Sequence, residues 1–284
     1  MKIPLSRGLR LSAMSEIVCD VCFHHCVLRE GRRGFCRARE NRDGMNVCVN
    51  AGLFTSAALD PIEKKPLKRF FPGSYILSVG SFGCNLACPF CQNHEISMHE
   101  EDAVYYQISS SQMVDLVRKT EDSIGIAFTY NEPLISWEYI LETAKGVHEA
   151  GKKVVLVSNG TVEKHILEKL MPYVDAMNID YKGDEAFYKE LSGSHETVRN
   201  TIAYVHDKCH LEVTTLIIPG KNDDPAFIEE TAIWLASLNK DIPLHLTRYF
   251  PAYRYTIPPI RKEKLFDLCA IAEKHLRYVY PGNV

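Results

Sequence analysis

The sequence predicts an α/β protein built on parallel strands, with a small cysteine-rich module in front of it. Three observations carry this. After residue 74, short β-branched or aromatic runs alternate with helical patterns six times in succession, which implies parallel strands joined by right-handed crossovers. In five of these six units, distinctive polar or cysteine residues stand at the carboxyl end of the run, where a parallel α/β protein places its site. Eight of the ten cysteines fall between Cys19 and Cys91, so whatever they do is done in the first third of the chain.

The elements follow in chain order. From about residue 19 to 73 there is little sustained periodicity, and the segment is rich in Arg and Gly. It ends in the linker-like PIEKKPLKRFFPGS. Residues 1–74 are therefore expected to form the module and linker, and residues 75–284 the main domain. The expected strands are YILSVGSF (75–82), GIAFTY (125–130), KVVLVSN (153–159), AMNIDYK (176–182), LEVTTLII (211–218) and PLHLTRYF (243–250). Helices are expected over 110–121, 134–150, 163–171, 195–208, 225–238 and 261–275. Periodicity alone fits a doubly wound sheet as well as a closed or incomplete barrel. In either case Cys84, Asn131 with Glu132, Asn159, Asp180 with Lys182, and the run 222–224 gather at one end of the strands.

Composition narrows the class. With 46% hydrophobic residues and 33 basic against 36 acidic side chains, neither disorder nor a polyanionic partner is implied. The opening MKIPLSRGLRLSAMSEIV is interrupted by Pro4, Ser6, Arg7, Gly8 and Arg10 and lacks the apolar core of a secretory signal. No later run approaches the roughly 18 apolar residues of a membrane span. A soluble, cytoplasmic protein with no membrane partner is expected, and in that reducing compartment the cysteines suggest metal rather than disulfides.

The stretch GCNLACPFCQN places Cys84, Cys88 and Cys91 inside eight residues. A structural zinc takes four ligands, whereas three thiolates on one loop can hold three irons of a [4Fe–4S] cube and leave the fourth open to a non-protein ligand. The bland alternative is three buried cysteines that merely pack. Asn85 and Pro89 favour a turn-forming loop over a packed helix or strand.

This loop, following a strand, resembles the cluster loop of the radical S-adenosylmethionine (SAM) superfamily. The whole of CNLACPFCQN is similar to the pyruvate formate-lyase activating enzyme group. The resemblance implies a partial (β/α)6 TIM-like barrel in which SAM chelates the open iron by its amino and carboxylate groups. It implies reductive cleavage of SAM to methionine and a 5′-deoxyadenosyl radical, which removes a hydrogen atom from a substrate.

The same resemblance carries over site residues. TYNEP (129–133) stands where relatives have a glycine-rich turn that holds the SAM amine, and Glu132 would accept from that ammonium with Asn131 beside it. VSNGT (157–161) resembles the Asn-Gly turn after the third strand, so Ser158 and Asn159 would reach the ribose or carboxylate. DYK (180–182) matches the family's Asp-x-Lys; residues two apart on a strand share a face, so Asp180 and Lys182 would enter one mouth. Phe90 and Asn93, in and beside the cysteine loop, join the implied cofactor contacts. Taken singly, these motifs are also a helix start, a turn dipeptide and a surface ion pair worth under about 1 kcal/mol. IIPGKNDD (217–224) resembles the family's P-G-x-x-D-D segment. Where relatives carry a SAM-touching histidine this chain has Phe250, with His245 as a substitute.

In the module, CDVCFHHCVLREGRRGFC offers Cys19, Cys22, Cys26 and Cys36, with His24, His25 and Cys48 as replacements, for a structural zinc or an auxiliary iron–sulfur cluster. Arg29, Arg32, Arg33, Arg37, Arg39 and Arg42 form either a solvated face or a docking patch. No RNA-binding aromatic pattern accompanies them, so a protein partner is preferred over nucleic acid. With DPIEKKPLKRFFPG, the module resembles the AmmeMemoRadiSam-type branch. That implies a [4Fe–4S] cluster, SAM and a reductant such as flavodoxin or ferredoxin. It also implies activation of a partner enzyme by abstraction of a glycine hydrogen. A small-molecule or cofactor-biosynthesis substrate is the alternative, and a non-enzymatic, metal-stapled binding protein the alternative of another class.

Overall fold

The computed structural model describes residues 16–98 and 105–284. Most of the N-terminal stretch examined for a signal lies outside them. Eight strands form one sheet: β1 (Ser56–Pro61), β2 (Tyr75–Gly80), β3 (Ser123–Phe128), β4 (Lys153–Ser158), β5 (Ala176–Asp180), β6 (His210–Ile217), β7 (Leu244–Arg248) and β8 (Val279–Gly282). Their spatial order is β8-β7-β6-β5-β4-β3-β2-β1. Strands β2 to β8 run parallel, and β1 is antiparallel to β2. The two edges, β1 and β8, do not pair with each other, so the sheet stays open.

The six expected strands are β2 to β7. The others, β1 and β8, have the sequences SAALDP and VYPG; both carry a proline, which a sheet tolerates at its edges. The helices on the outer face are α1 (Ser110–Lys119), α2 (Trp137–Glu149), α3 (Lys164–Leu170), α4 (Glu185–Glu190), α5 (His195–Val205), α6 (Pro225–Leu238) and α7 (Lys262–Ala272). Their starts are chemically marked. Ser109 and Gln112 form a reciprocal capping box ahead of α1. Asp224 accepts from the Ala226 N–H at 3.0 Å with Pro225 in the first helical position of α6.

Side chains alternate across the sheet. Leu77, Val79, Ile126, Phe128, Val154, Leu156, Met177 and Ile179 pack outward in the main core beneath the helices. Ile76, Ala127, Val155 and Ala176 face the other way and pack against Ile62, Leu67 and Phe70. The stretch expected as a linker therefore contributes β1 to the sheet and then fills the concave side. There the Pro66 carbonyl accepts from Asn178, and the Lys68 and Arg69 N–H groups donate to Glu212. The Arg69 guanidinium stacks 3.8 Å over the Tyr278 ring, next to the opposite edge.

The module is two short hairpins. Ile17–Val18 pairs with Val27–Leu28, and Arg39–Arg42 with Met45–Cys48. The second turns through Asp43 and Gly44, both at positive φ (54° and 76°), as a two-residue hairpin turn requires.

Candidate functional site: the cysteine loop and the strand ends

All eleven residues expected to handle the cluster and cofactor come together. Cys84, Cys88, Cys91, Phe90, Asn93, Asn131, Glu132, Ser158, Asn159, Asp180 and Lys182 line one cavity of about 210 Å³ at the carboxyl ends of β2 to β5. Cys84, Cys88 and Cys91 come from the loop after β2, Glu132 from the turn after β3, Ser158 from the last position of β4, and Asp180 from the last position of β5.

The cysteine loop suits a thiolate centre. The Leu86 N–H points at Cys84 Sγ (3.4 Å), Asn159 Nδ2 at the same sulfur (3.7 Å), and Ser97 Oγ lies 3.3 Å from Cys91 Sγ. Donors aimed at sulfur favour the charged form. Burial works the other way, raising the Cys84 thiol well above its ordinary value and pushing Cys88 up to about 11 against the nearby Lys182 charge. Both thiols hold their protons in the free protein and release them on taking up metal. Among the described residues no group of three or more His, Cys, Asp and Glu side chains is close enough to hold a single ion. Three thiolates on one loop can hold three irons of a polynuclear centre.

Glu132 is 2% exposed and clamped. Its Oε1 accepts from the Leu134 N–H (3.0 Å) and Ser158 Oγ (2.8 Å), and its Oε2 from the Asn159 N–H (2.8 Å). Three donors occupy three of roughly four acceptor positions and leave one toward the cavity. Burial still dominates, and the carboxyl is pushed up to about 7. Facing it, Lys182 Nζ donates to Asp180 Oδ2 at 2.9 Å, with the lysine side chain 14% exposed. Burial would lower the Lys182 pKa, but the Asp180 and Cys88 charges outweigh it and hold the ammonium charged. The lysine end of this pair is enclosed, while the Asp180 side chain stays partly exposed toward the cavity mouth.

Other expected residues have different work. Asn131 accepts from the Ser81 N–H (3.0 Å) and donates to the Phe82 and Gly83 carbonyls (3.1 Å each), so its amide staples the cysteine loop. Asn222 braces the backbone, donating to the Lys182 and Leu216 carbonyls at 2.7 and 2.8 Å. Asp223 pairs with Lys264, and Asp224 caps α6; none of the three lines the cavity. His245 is also outside the cavity, buried with Nε2 2.6 Å from Glu212, and Phe250 is an exposed side chain that does not line it either.

Of the six arginines, Arg29, Arg32, Arg33 and Arg42 are exposed and Arg37 is half-buried. Arg39 is buried, donating to the Ile135 carbonyl at 2.7 Å and to both Glu138 oxygens. Arg29 pairs with Glu16, Arg33 and Arg42 pair with Glu40, and Arg37 donates to the Ser97 carbonyl. In the module, Cys19, Cys22 and Cys36 are buried and Cys26 half-buried. Cys19 N–H donates to the Cys26 carbonyl across the first hairpin (2.9 Å). Asn46 Nδ2 and the Phe35 N–H aim at Cys19 Sγ and Cys26 Sγ, each at 3.4 Å. His24 instead bonds the Asn85 carbonyl at 2.9 Å, His25 pairs with Glu163, and Cys48 faces Asn50.

Sequence reasoning missed Tyr130 and its partners. Tyr130 lines the cavity at φ 72°, and its hydroxyl donates to Asp60 at 2.6 Å, seventy residues back in the chain. The only signal was the absence of glycine from TYNEP, which forces a non-glycine residue into the left-handed conformation.

The comparisons with known proteins agree with this geometry. The family model described as Radical SAM superfamily matches residues 78–231. The chain belongs to the radical SAM superfamily. As a radical SAM enzyme it uses a [4Fe–4S] cluster and SAM. It is 38% identical over 283 residues to an uncharacterized protein of Methanocaldococcus jannaschii, MJ0808, covering 95% of this chain and 82% of that one. It is 26% identical over 161 residues to the indoleacetate decarboxylase activating enzyme of Tractidigestivibacter scatoligenes, 52% of this chain and 51% of that one. Among solved structures, a domain of pyruvate-formate lyase-activating enzyme from Bacteroides vulgatus aligns at a TM-score of 0.50 and 20% identity, covering 56% of this chain and 99% of that one. The radical SAM fold is thus an open, TIM-like barrel here. Among the described residues no helix is long and apolar enough to cross a membrane.

Proposed function

We propose that this radical SAM enzyme activates a partner protein by abstracting a hydrogen atom from a backbone glycine. Cys84, Cys88 and Cys91 would hold the [4Fe–4S] cluster. Glu132 and the Ser158–Asn159 turn would seat the SAM amine and carboxylate or ribose, and Asp180 and Lys182 would position the remainder. The chemistry supplied there would be one-electron reductive cleavage of SAM, with the electron from a flavodoxin- or ferredoxin-like donor, to methionine and a 5′-deoxyadenosyl radical that takes the glycine hydrogen. The residues around the cavity orient SAM and keep water from it. The observation that carries the reading is the convergence of all eleven residues on one cavity, in a chain whose 26% identical relative is named an activating enzyme.

The test uses anaerobically reconstituted protein with dithionite and SAM. Protein and small-molecule fractions from cells grown on α-deuterated glycine are offered separately. Deuterium entering 5′-deoxyadenosine from the protein fraction supports the activase reading. Deuterium from the small-molecule fraction alone moves the function to a small-molecule or cofactor-biosynthesis substrate. No 5′-deoxyadenosine from the parent protein refutes the site, and a Cys84, Cys88 and Cys91 triple alanine variant gives the baseline.

The buried Cys19, Cys22 and Cys36, with Cys26, are proposed as a second metal site. A structural zinc or an auxiliary iron–sulfur cluster would take this ligand set.

A further inference from the structure

The turn that carries Glu132 is built around a residue in an unfavourable conformation. Tyr130 sits at φ 72°, a left-handed value that costs a non-glycine residue roughly 1–2 kcal/mol. Space for it is made by Gly80, where a Cβ would stand 2.7 Å from Tyr130 Cδ2. The ring then runs to a buried ion pair. Tyr130 hydroxyl donates to Asp60 Oδ2 at 2.6 Å, and Lys65 Nζ donates to the same oxygen at 2.8 Å while lying 4.6 Å over the ring centroid. Both partners belong to DPIEKK, the edge strand β1 and the turn after it.

On the other side of Tyr130, the backbone is tied to the cysteine loop. Glu132 N–H donates to the Gly83 carbonyl at 3.3 Å, and Asn131 bonds Ser81, Phe82 and Gly83. The turn is therefore held at two points: the loop fixes Asn131 and Glu132, and the Asp60–Lys65 pair fixes the ring between them and β3. Releasing the ring would let Tyr130 relax from its left-handed conformation and would load that change onto the Asn131–Glu132 backbone, altering the angle at which the clamped carboxylate meets the cavity.

We propose that Tyr130, locked by Asp60 and Lys65, is a positioning residue for SAM: the buried pair at the barrel edge sets the orientation of Glu132 toward the SAM ammonium. The proposal rests on the reading of Glu132 as the seat of that ammonium. It assigns a role in cofactor binding to DPIEKK, whose charged residues, Asp60 and Lys65 among them, do not line the cavity.

The test measures SAM affinity by equilibrium dialysis, and 5′-deoxyadenosine formation with dithionite, on the full, anaerobically reconstituted chain. Tyr130→Phe removes one hydroxyl and keeps the ring. It should raise Kd and KM for SAM about threefold to tenfold, part of the value of a hydrogen bond to a charged group, with iron content unchanged and the saturated rate within about twofold. Lys65→Met should act in the same direction. The double variant should be no worse than the weaker single, because both act through one chain of contacts. A purely structural role would lower the melting temperature and leave Kd unmoved. Glu132→Gln separates the two claims. If it weakens SAM binding while Tyr130→Phe leaves Kd within about twofold of the parent, the positioning role is overturned and the seat stands. If Glu132→Gln also leaves Kd unchanged, the seat falls and the positioning role with it. Should Lys65→Met fail to fold because Asp60 keeps only the exposed Lys64 as a cationic partner, Tyr130→Phe alone decides.

Discussion

Replacing Glu132 by Gln probes the site where its electrostatics are sharpest. In the parent, the carboxylate accepts from Leu134 N–H, Ser158 Oγ and Asn159 N–H, and one acceptor position remains for a cation. Gln keeps the shape but has a single acceptor oxygen. Either its NH2 confronts the Asn159 N–H, or a flip confronts the Leu134 N–H and Ser158. One buried donor is then left without a partner, at a cost of about 1–3 kcal/mol to the fold. A charge-assisted bond to the SAM ammonium is lost as well, worth about 1.5–3 kcal/mol, or roughly a tenfold to hundredfold rise in Kd.

The pH dependence supplies a second readout. The parent carboxyl titrates at about 7, raised by burial. A cation binds the carboxylate and not the acid, so below about 7 protons compete with SAM, and affinity should fall by up to tenfold per pH unit as pH drops. Above that value it should level off. In Glu132→Gln this pH step should vanish. Isothermal titration of SAM into reconstituted protein between pH 5.5 and 8.5 measures both effects. A parent Kd that is flat over this range and equal to that of the variant would refute Glu132 as the cation's partner.

Three further outcomes are expected. Metal analysis of the Cys84, Cys88 and Cys91 triple alanine variant should still find zinc or iron, held by Cys19, Cys22, Cys26 and Cys36, while its paramagnetic resonance no longer responds to SAM; a metal-free variant would make the module a metal-free cap. Gly83→Ala should destabilise the protein by about 2 kcal/mol or more and lower cluster content, because Gly83 sits at φ 90° and a Cβ there would stand 2.7 Å from the Cys36 carbonyl oxygen. Glu212 accepts from His210, His245 and the Lys68 and Arg69 N–H groups; these outweigh burial and hold its pKa down at about 2, against 4.5 ordinarily. Since the folded value is the lower one, this group adds on the order of 3 kcal/mol that is fully present above about 4.5 and lost as pH falls toward 2. Urea unfolding should show that acid-side loss in the parent and lack it in Glu212→Gln.

What the sequence made legible, and what it did not, follows from range. Strands β4 and β6 announce themselves because KVVLVS and HLEVTTLI are short runs rich in β-branched residues and largely buried on both faces. The cysteine loop and the turns after β3, β4 and β5 are legible because their chemistry lies in a few adjacent residues. SAALDP and VYPG carry Pro, Asp and small residues that argue against strand, and they pair only because an edge asks less of them. Arg39, in a run of arginines, looks like surface. It is buried because the Ile135 carbonyl and Glu138, about a hundred residues away, meet its guanidinium. The polar run 222–224 looks like site chemistry, yet its groups are used on the Lys182 carbonyl, on Lys264 and on a helix start. Pairings of this kind have no local signature.

The module and the barrel meet at the cysteine loop, and that bears on what the module is for. Asn50 Nδ2 donates to the Phe82 carbonyl at 2.7 Å, His24 bonds the Asn85 carbonyl at 2.9 Å, and Arg37 donates to the Ser97 carbonyl at 3.0 Å. The Cys36 carbonyl lies against Gly83 with no room for a side chain between them, and Cys36, Ala38 and Ile135 form a small shared core. Three separate stretches of the module, at His24, Cys36 to Ala38 and Asn50, thus satisfy or cover the backbone of the loop that bears Cys84, Cys88 and Cys91. A loop of this kind, with its carbonyls unpaired, would be free to rearrange when its thiols lose their protons to metal. The module acts as the outer wall that fixes the loop before the cluster arrives. On the inner side, Asn131 and the Tyr130 lock complete the same enclosure from the barrel, so residues from His24 to Asn159 converge to hold one loop.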